Sequence, residues 1–208
     1  MNVVLYGATG KSGIRILTEL LSRNHNVTAV ARNPVGLPAN TKTIKDDLSD
    51  PNKIASIIAG SDAVVSAYAP PQDDTDQLIG VTEHEIEAVC KAGKNIRLIV
   101  VGGAGSLEVA PGITLLKSGH LPAEWIPIAT SHEKALELLK KSDINWTYFS
   151  PAAFFEPGTR TGKFRLDTNK LVADAQGNSR ISMEDYAIAL VDELEKPAHD
   201  RAQFTIGY

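Results

Sequence analysis

Gly7-Ala8-Thr9-Gly10-Lys11-Ser12-Gly13, the first glycine turn of the chain, decides how the rest is read. It follows the apolar run Val3-Val4-Leu5-Tyr6 and opens the helical pattern of Ile14, Ile16, Leu17, Leu20 and Leu21. A strand, a glycine turn and a helix N-terminus in that order form an anion-binding site. The first N–H groups of a helix have no internal partner, and the helix dipole adds partial positive charge beside them. Gly7 permits the tight turn, Gly10 lets a pyrophosphate approach the backbone, and Gly13 lets helix and strand pack closely. The spacing is Gly-x-x-Gly-x-x-Gly. It is not a P-loop, whose Gly-Lys-Ser/Thr comes four residues after a first glycine. The stretch predicts dinucleotide binding.

Working outward, strand-like and helix-like patterns alternate as far as Phe149, the signature of a parallel α/β sheet. Val27–Ala31 reads as a second strand, ended at Arg32-Asn33-Pro34. A short strand around Thr43-Ile44-Lys45 precedes a helix capped by Ser49 or Asp50, with Pro51 in its first turn. Asp62–Tyr68 is a further strand, followed by a helix strongest from Val81 to Ala92 and stopped by Gly93. The continuous apolar run Arg97–Val101 suits a central strand covered on both faces. It leads into Gly102-Gly103-Ala104-Gly105-Ser106 and a Gly/Pro-rich stretch without period, read as an active-site loop or lid. A helix from about Ser131 to Lys141 and the strand Trp146–Phe149 follow.

From residue 151 the pattern changes to short polar strands with turns at Asp167-Thr168-Asn169 and Gln176-Gly177-Asn178. Ser182-Met183-Glu184-Asp185 caps a helix through Glu195, and Gln203–Ile206 reads as a last edge strand. The chain is expected to be one domain over 1–208. The expected architecture is α/β in three layers, with a doubly wound, mostly parallel sheet and 151–208 as a small C-terminal elaboration on the substrate side.

Composition narrows the function. With 208 residues, 43% hydrophobic, the chain can bury a core of its own. A formal net charge of −4 argues against nucleic acid as a partner. No apolar run approaches the ~20 residues that span a bilayer. The N-terminal apolar segment has no basic leader, so it does not read as a signal peptide. The single cysteine, Cys90, excludes an intrachain disulfide and fits a reducing cytoplasm; it reads as a small buried hydrophobe. The five histidines show no metal-ligand spacing. The expected partner is a small-molecule substrate, with neither nucleic acid nor membrane; a homodimer is compatible with the sequence.

In a doubly wound sheet the ligand lies at the carboxyl ends of the strands, where strand order reverses. After the second strand, where an acid would meet a free ribose 2′-hydroxyl, the chain carries Arg32. A guanidinium pairs with a 2′-phosphate, so NADP is expected over NAD, with Lys11 adding charge. Asp46-Asp47-Leu48 stand where the adenine would be flanked. Ala67-Tyr68-Ala69 would pass the nicotinamide-side ribose, and Gly102 and Gly103 would frame the nicotinamide. Ser106 is the nearest hydroxyl to that point.

These residues resemble the atypical short-chain dehydrogenase/reductase superfamily, in particular its small bacterial NAD(P)H-binding, epimerase/dehydratase-like and NmrA-like members. The likeness rests on Gly7–Gly13, Val101–Leu107, Ser150-Pro151-Ala152-Ala153, Gly177–Ser182 and Asp185-Tyr186-Ala187, and it spans the whole chain. It implies a Rossmann fold with the cofactor across it, Pro151 included among the contacts. Active members of the superfamily carry a Tyr-x-x-x-Lys pair on the helix before the sixth strand. Here Lys134 matches the lysine and Thr130 stands in place of the tyrosine. A threonine hydroxyl is a far weaker acid than a phenol, so Ser106, Thr130 and Lys134 make an unusual catalytic set. His132 is the alternative acid on this helix, although it points about 200° away from Thr130.

Hydride transfer to a flat acceptor needs no tyrosine, because the cofactor carries the chemistry. Trp125, Phe154 and Phe155 are expected to wall such an acceptor. The leading expectation is an NADP(H)-dependent oxidoreductase acting on a quinone, flavin or similar carbonyl compound. A non-catalytic NADP(H) sensor and an NAD-dependent epimerase or dehydratase are the alternatives.

Overall fold

The computed structural model describes residues 1–39, 41–93 and 95–208. Strand β1 (Asn2–Tyr6) is followed by helix α1 (Lys11–Ser22), β2 (Asn26–Ala31), β3 (Lys42–Lys45), α2 (Pro51–Ile58), β4 (Ala63–Ser66), α3 (Gln77–Ala92) and β5 (Arg97–Val101). A short hairpin, β6 (Glu108–Ala110) with β7 (Ile113–Thr114), precedes α4 (Ile126–Lys141) and β8 (Trp146–Ser150). The chain closes with β9 (Phe154–Glu156), β10 (Arg165–Asp167), β11 (Arg180–Ser182), α5 (Met183–Glu195) and β12 (Ala202–Gly207).

The main sheet runs β10-β12-β8-β5-β4-β1-β2-β3, parallel throughout except for the β10–β12 pair. Strand order reverses between β1 and β4, which opens a crevice at their carboxyl ends. Side chains alternate across the sheet, so each apolar strand feeds two cores. Val3 and Leu5 of β1 join Ile16, Leu17 and Leu20 of α1 and Leu190 of α5. Val4 and Tyr6 join Ile54 of α2, Val81 of α3 and Leu136 of α4 on the other face. The result is the three-layer Rossmann fold expected. In the 151–208 segment, α5 and β12 complete the layers while β9 and β11 pair with each other outside the main sheet.

Local chemistry sets the element ends. Asp50 caps α2 by accepting from the Asn52 N–H at 2.9 Å, with Pro51 in the first turn. Gly93 ends α3 at φ 137°. Ser182 caps α5, its hydroxyl accepting from the Asp185 N–H at 3.0 Å.

Three expectations need correction. Helix α4 begins at Ile126 rather than near Ser131, because Pro127 sits in its first turn, where a missing N–H costs nothing. Gln203–Ile206 belongs to an interior strand: β12 lies between β8 and β10, and the short β10 forms the edge. Cys90 is exposed on the outer side of α3, not buried. Among the described residues, no helix is long and apolar enough to cross a membrane.

Candidate functional site

The glycine turn lies at the C-terminal end of β1, against the end of β4. Gly7 has φ +72°, and a Cβ there would collide with the Ala67 carbonyl oxygen. A Cβ on Gly13 would collide in turn with the Gly7 carbonyl, so the first turn of α1 nests on the loop itself. Gly10 closes the loop by donating to the Gly7 carbonyl at 2.9 Å. Among the described residues no side chain caps α1, which leaves the N–H groups of its first turn for a ligand.

Two clefts meet at Gly10, Ala67, Tyr68 and Ala69. The first, of about 480 Å³, runs over the ends of β1, β2 and β3 and is lined by Gly7, Thr9, Arg32, Asp46, Asp47 and Leu48. Arg32 is exposed there, and among the described residues it has no ion-pair partner. The nearby carboxylate of Asp46 is engaged by Lys53 at 2.8 Å and accepts from the Leu48 N–H at 3.1 Å. Asp47 accepts from the Ser49 hydroxyl at 2.6 Å, which holds its carboxyl below the usual range. Leu48 sits at φ 64°, and its carbonyl accepts from His84 Nδ1 at 2.8 Å.

Beneath this cleft, Tyr6 turns a buried phenol with no partner among the described residues toward Asp46 and Glu85. Burial lifts the Tyr6 phenol far above its ordinary value, and those two carboxylates add to the shift. Glu85 of α3 is itself buried, which pushes its carboxyl up to about 7 against a hydrogen bond from Ser66.

The second cleft, of about 380 Å³, continues past Lys11 and Ser12 to Gly102, Trp125, His132, Phe155 and Met183. Its floor explains the glycines after β5. A Cβ on Gly102 would run into the Tyr148 ring, and one on Gly103 would stand 3.0 Å from the His132 ring. The Tyr148 hydroxyl accepts from the Gly103 N–H at 3.1 Å and lies 2.9 Å from His132 Nδ1. Burial lowers His132 to about 4, so the imidazole is neutral near pH 7, and burial raises the Tyr148 phenol well above its ordinary value.

Most of the residues expected at the cofactor come together here. Gly7, Thr9, Gly10, Arg32, Asp47, Leu48, Ala67, Tyr68 and Ala69 line the first cleft, and Lys11, Ser12 and Gly102 line the second with Trp125 and Phe155. Others stand behind it. Ala8 is buried and donates to the Val30 carbonyl at 3.3 Å, Gly13 packs on the loop, and Gly103 and Pro151 do not line either cleft. Phe154, 63% exposed, also lies outside.

The expected catalytic set does not assemble. The Thr130 hydroxyl donates to the Ile126 carbonyl at 2.8 Å, because mid-helix threonine reaches its own backbone. Lys134 is exposed, 3.8 Å from Asp76. Ser106 accepts from the Gln203 amide at 2.8 Å, and none of the three lines either cleft. His132 of α4 does line the second cleft, with the fully buried Tyr148 hydrogen-bonded behind it. The signal for them lay in the paired glycines, which mark close approach of bulky neighbours as readily as of a ligand.

The sequence pattern of the NAD(P)H-binding family matches residues 7–197. The chain belongs to this family. Its shared property is a nicotinamide cofactor, and the fold is that of Rossmann-type NAD(P)-binding proteins. YwnB of Bacillus subtilis (strain 168), itself uncharacterized, is 39% identical, the match covering 99% of this chain and 98% of YwnB. A Burkholderia pseudomallei protein, provisionally named an exported protein, has a crystal structure that superposes with TM-score 0.92 at 44% identity, over 100% of both chains. A Streptococcus pneumoniae TIGR4 protein, provisionally named an NADH-flavin reductase, gives TM-score 0.92 at 34% identity over 100% of this chain and 99% of its own.

Proposed function

We propose that this NAD(P)H-binding protein is an NADP(H)-dependent reductase of a small, flat carbonyl acceptor such as a quinone or a flavin. The observation that carries the reading is the continuous crevice itself. It has the exposed guanidinium of Arg32 at one end, the helix N-terminus of α1 in the middle, and the Trp125 and Phe155 rings at the other.

These residues fit the group. The first N–H groups of α1, with Lys11, would hold the pyrophosphate, and a side chain at Gly7 or Gly13 would fill the loop that admits it. Arg32 would pair with the 2′-phosphate. Asp46, which lines the same cleft, has its charge offset by Lys53 and does not oppose that pairing. Small residues at Ala67 and Ala69 leave room along the nicotinamide-side ribose. When held there, NADPH would supply a hydride to the acceptor and be left as the oxidised nicotinamide. The chain's part is to stack the acceptor between Trp125 and Phe155 and orient it. The name of the Streptococcus pneumoniae relative agrees with a flavin acceptor. A reducing cytoplasm suits this chemistry, as it suits a chain whose only cysteine is free and exposed.

A second reading, a sensor that binds NADP(H) without turnover, is favoured by one observation. Thr130 stands where the superfamily resemblance implies a tyrosine, and its hydroxyl is spent on the helix backbone. The two readings separate in one experiment. Fluorescence titration is expected to show NADPH binding at least about tenfold tighter than NADH, with Arg32→Glu reversing the order. NADPH consumption is then followed by absorbance with quinones, flavins and aldehydes. Tight binding without turnover on any of them leaves the sensor. Equal affinity for the two cofactors removes the role given to Arg32.

A further inference from the structure

We propose that His132 grips the carbonyl oxygen of the acceptor, presenting an Nε2–H donor to the second cleft, and that Tyr148 is the positioning residue that sets this tautomer. The inference rests on the reductase reading above and assigns within that site a group that the tyrosine chemistry of the superfamily does not use.

The hydrogen bonds bias the tautomer. The Tyr148 hydroxyl has one proton to give and lone pairs to offer, and the Gly103 N–H at 3.1 Å takes one lone pair. Two acceptors compete for the phenol proton: His132 Nδ1 at 2.9 Å and the His132 carbonyl at 3.2 Å. That carbonyl lies inside α4, where the helix N–H four residues on already serves it. The ring nitrogen is nearer, and an O–H···N bond there satisfies it. A neutral imidazole carries one N–H, so an Nδ1 that accepts leaves the proton on Nε2. His132 lines the second cleft, as do Trp125 and Phe155.

The arrangement is built, not incidental. Tyr148 is fully buried in β8, and its ring takes the space that a side chain on Gly102 would fill. The His132 ring sits against Gly103, and the two rings meet edge to face with centroids 6.3 Å apart. Two glycines, a strand and a helix thus converge to hold one imidazole at the cleft. A donor fixed before charge develops stabilises that charge at no cost in reorganisation. As the hydride adds two electrons to the acceptor, negative charge grows on its carbonyl oxygen, and water supplies the proton that neutralises it. The imidazole keeps its own proton and acts as a neutral electrophile. The acceptor class narrows accordingly to conjugated carbonyl compounds, quinones and isoalloxazines, with one oxygen at His132.

Two measurements test this. The first is ¹⁵N NMR of the histidine-labelled protein near pH 7 without acceptor. The Nε2–H form of His132 is expected, losing its bias in Tyr148→Phe; an Nδ1–H ring overturns the inference whether or not the protein turns anything over. The second is fluorescence titration with naphthoquinone. His132→Phe is expected to weaken its binding by about tenfold or more and His132→Gln, which keeps a donor, by less, with NADPH affinity unchanged in both. Equal naphthoquinone affinity in wild type and His132→Phe overturns it. If the tautomer and the affinity loss are found and the wild type still reduces no acceptor, the assignment of His132 stands and the reductase reading fails.

Discussion

Gly7 and Gly60 share a left-handed backbone, φ +72° and +77°, yet only Gly7 has a backbone neighbour where a Cβ would go. Alanine at Gly60 should cost about 1 kcal/mol, the conformational penalty alone. Alanine at Gly7 must also push the Ala67 carbonyl away, so the expected loss is about 2–3 kcal/mol together with NADPH binding. Denaturant unfolding of both variants, with a cofactor titration of each, checks the contrast. Glu85 offers a test of a different kind. Its carboxyl ionises near 7 in the fold against an ordinary value of 4.5, so the folded state holds the proton more tightly. Its contribution is complete at acid pH and is lost as pH rises through about 7. Glu85→Gln, which cannot ionise, should therefore gain on the wild type by on the order of 2–3 kcal/mol between pH ~4.5 and ~8. Melting curves across that range would show the difference. No change with pH would mean that Glu85 is not held as a neutral acid.

At the scale of elements, α5 shows how a cap does more than end a helix. The Ser182 hydroxyl accepts from the Asp185 N–H at 3.0 Å, donates to the Thr159 carbonyl at 2.9 Å and lies 2.9 Å from the Tyr208 hydroxyl. One turn on, the buried Asp185 carboxylate accepts from the Thr161 and Gly162 N–H groups, each at 2.8 Å. Burial alone would raise Asp185, but the hydrogen bonds from Thr161, Gly162 and Tyr208 outweigh it and hold the carboxyl below its usual range. The helix start therefore anchors both the 159–162 loop and the C-terminus. Ser182→Ala is expected to cost about 1–2 kcal/mol, at the upper end for a cap because three partners lose it. Equilibrium unfolding gives the value. The Ser-x-x-Asp spacing announced this helix start; α4 hid its own. Its first turn, Ile126-Pro127-Ile128, resembles loop in sequence because proline reads as a breaker before its place at a helix N-terminus is known.

At the scale of the molecule, β12 lies between β8 and β10, and its Phe204 stacks on Phe149, whose other face meets Tyr186 of α5, with centroids 4.0 and 4.2 Å apart. Removing residues 202–208 should abolish the cooperative unfolding transition, whereas loss of a true edge strand would leave a folded core; circular dichroism and thermal melts of the truncated chain decide this. The sequence by itself determined whatever depends on neighbours along the chain. The apolar periods marked the central strands, the turn from Gly7 to Gly13 marked an anion site at a helix N-terminus, and Arg32 followed at the next strand end. The tertiary structure alone decided whatever depends on neighbours across it. It placed β12 inside the sheet, took Ser106, Thr130 and Lys134 out of the clefts, and joined His132 to Tyr148 and Gly103. The reason is physical: periodicity and capping are short-range, set within a turn or two of backbone. A hydrogen bond between residues 45 apart in sequence, as between Gly103 and Tyr148, exists only once strands have chosen their register and helices their faces.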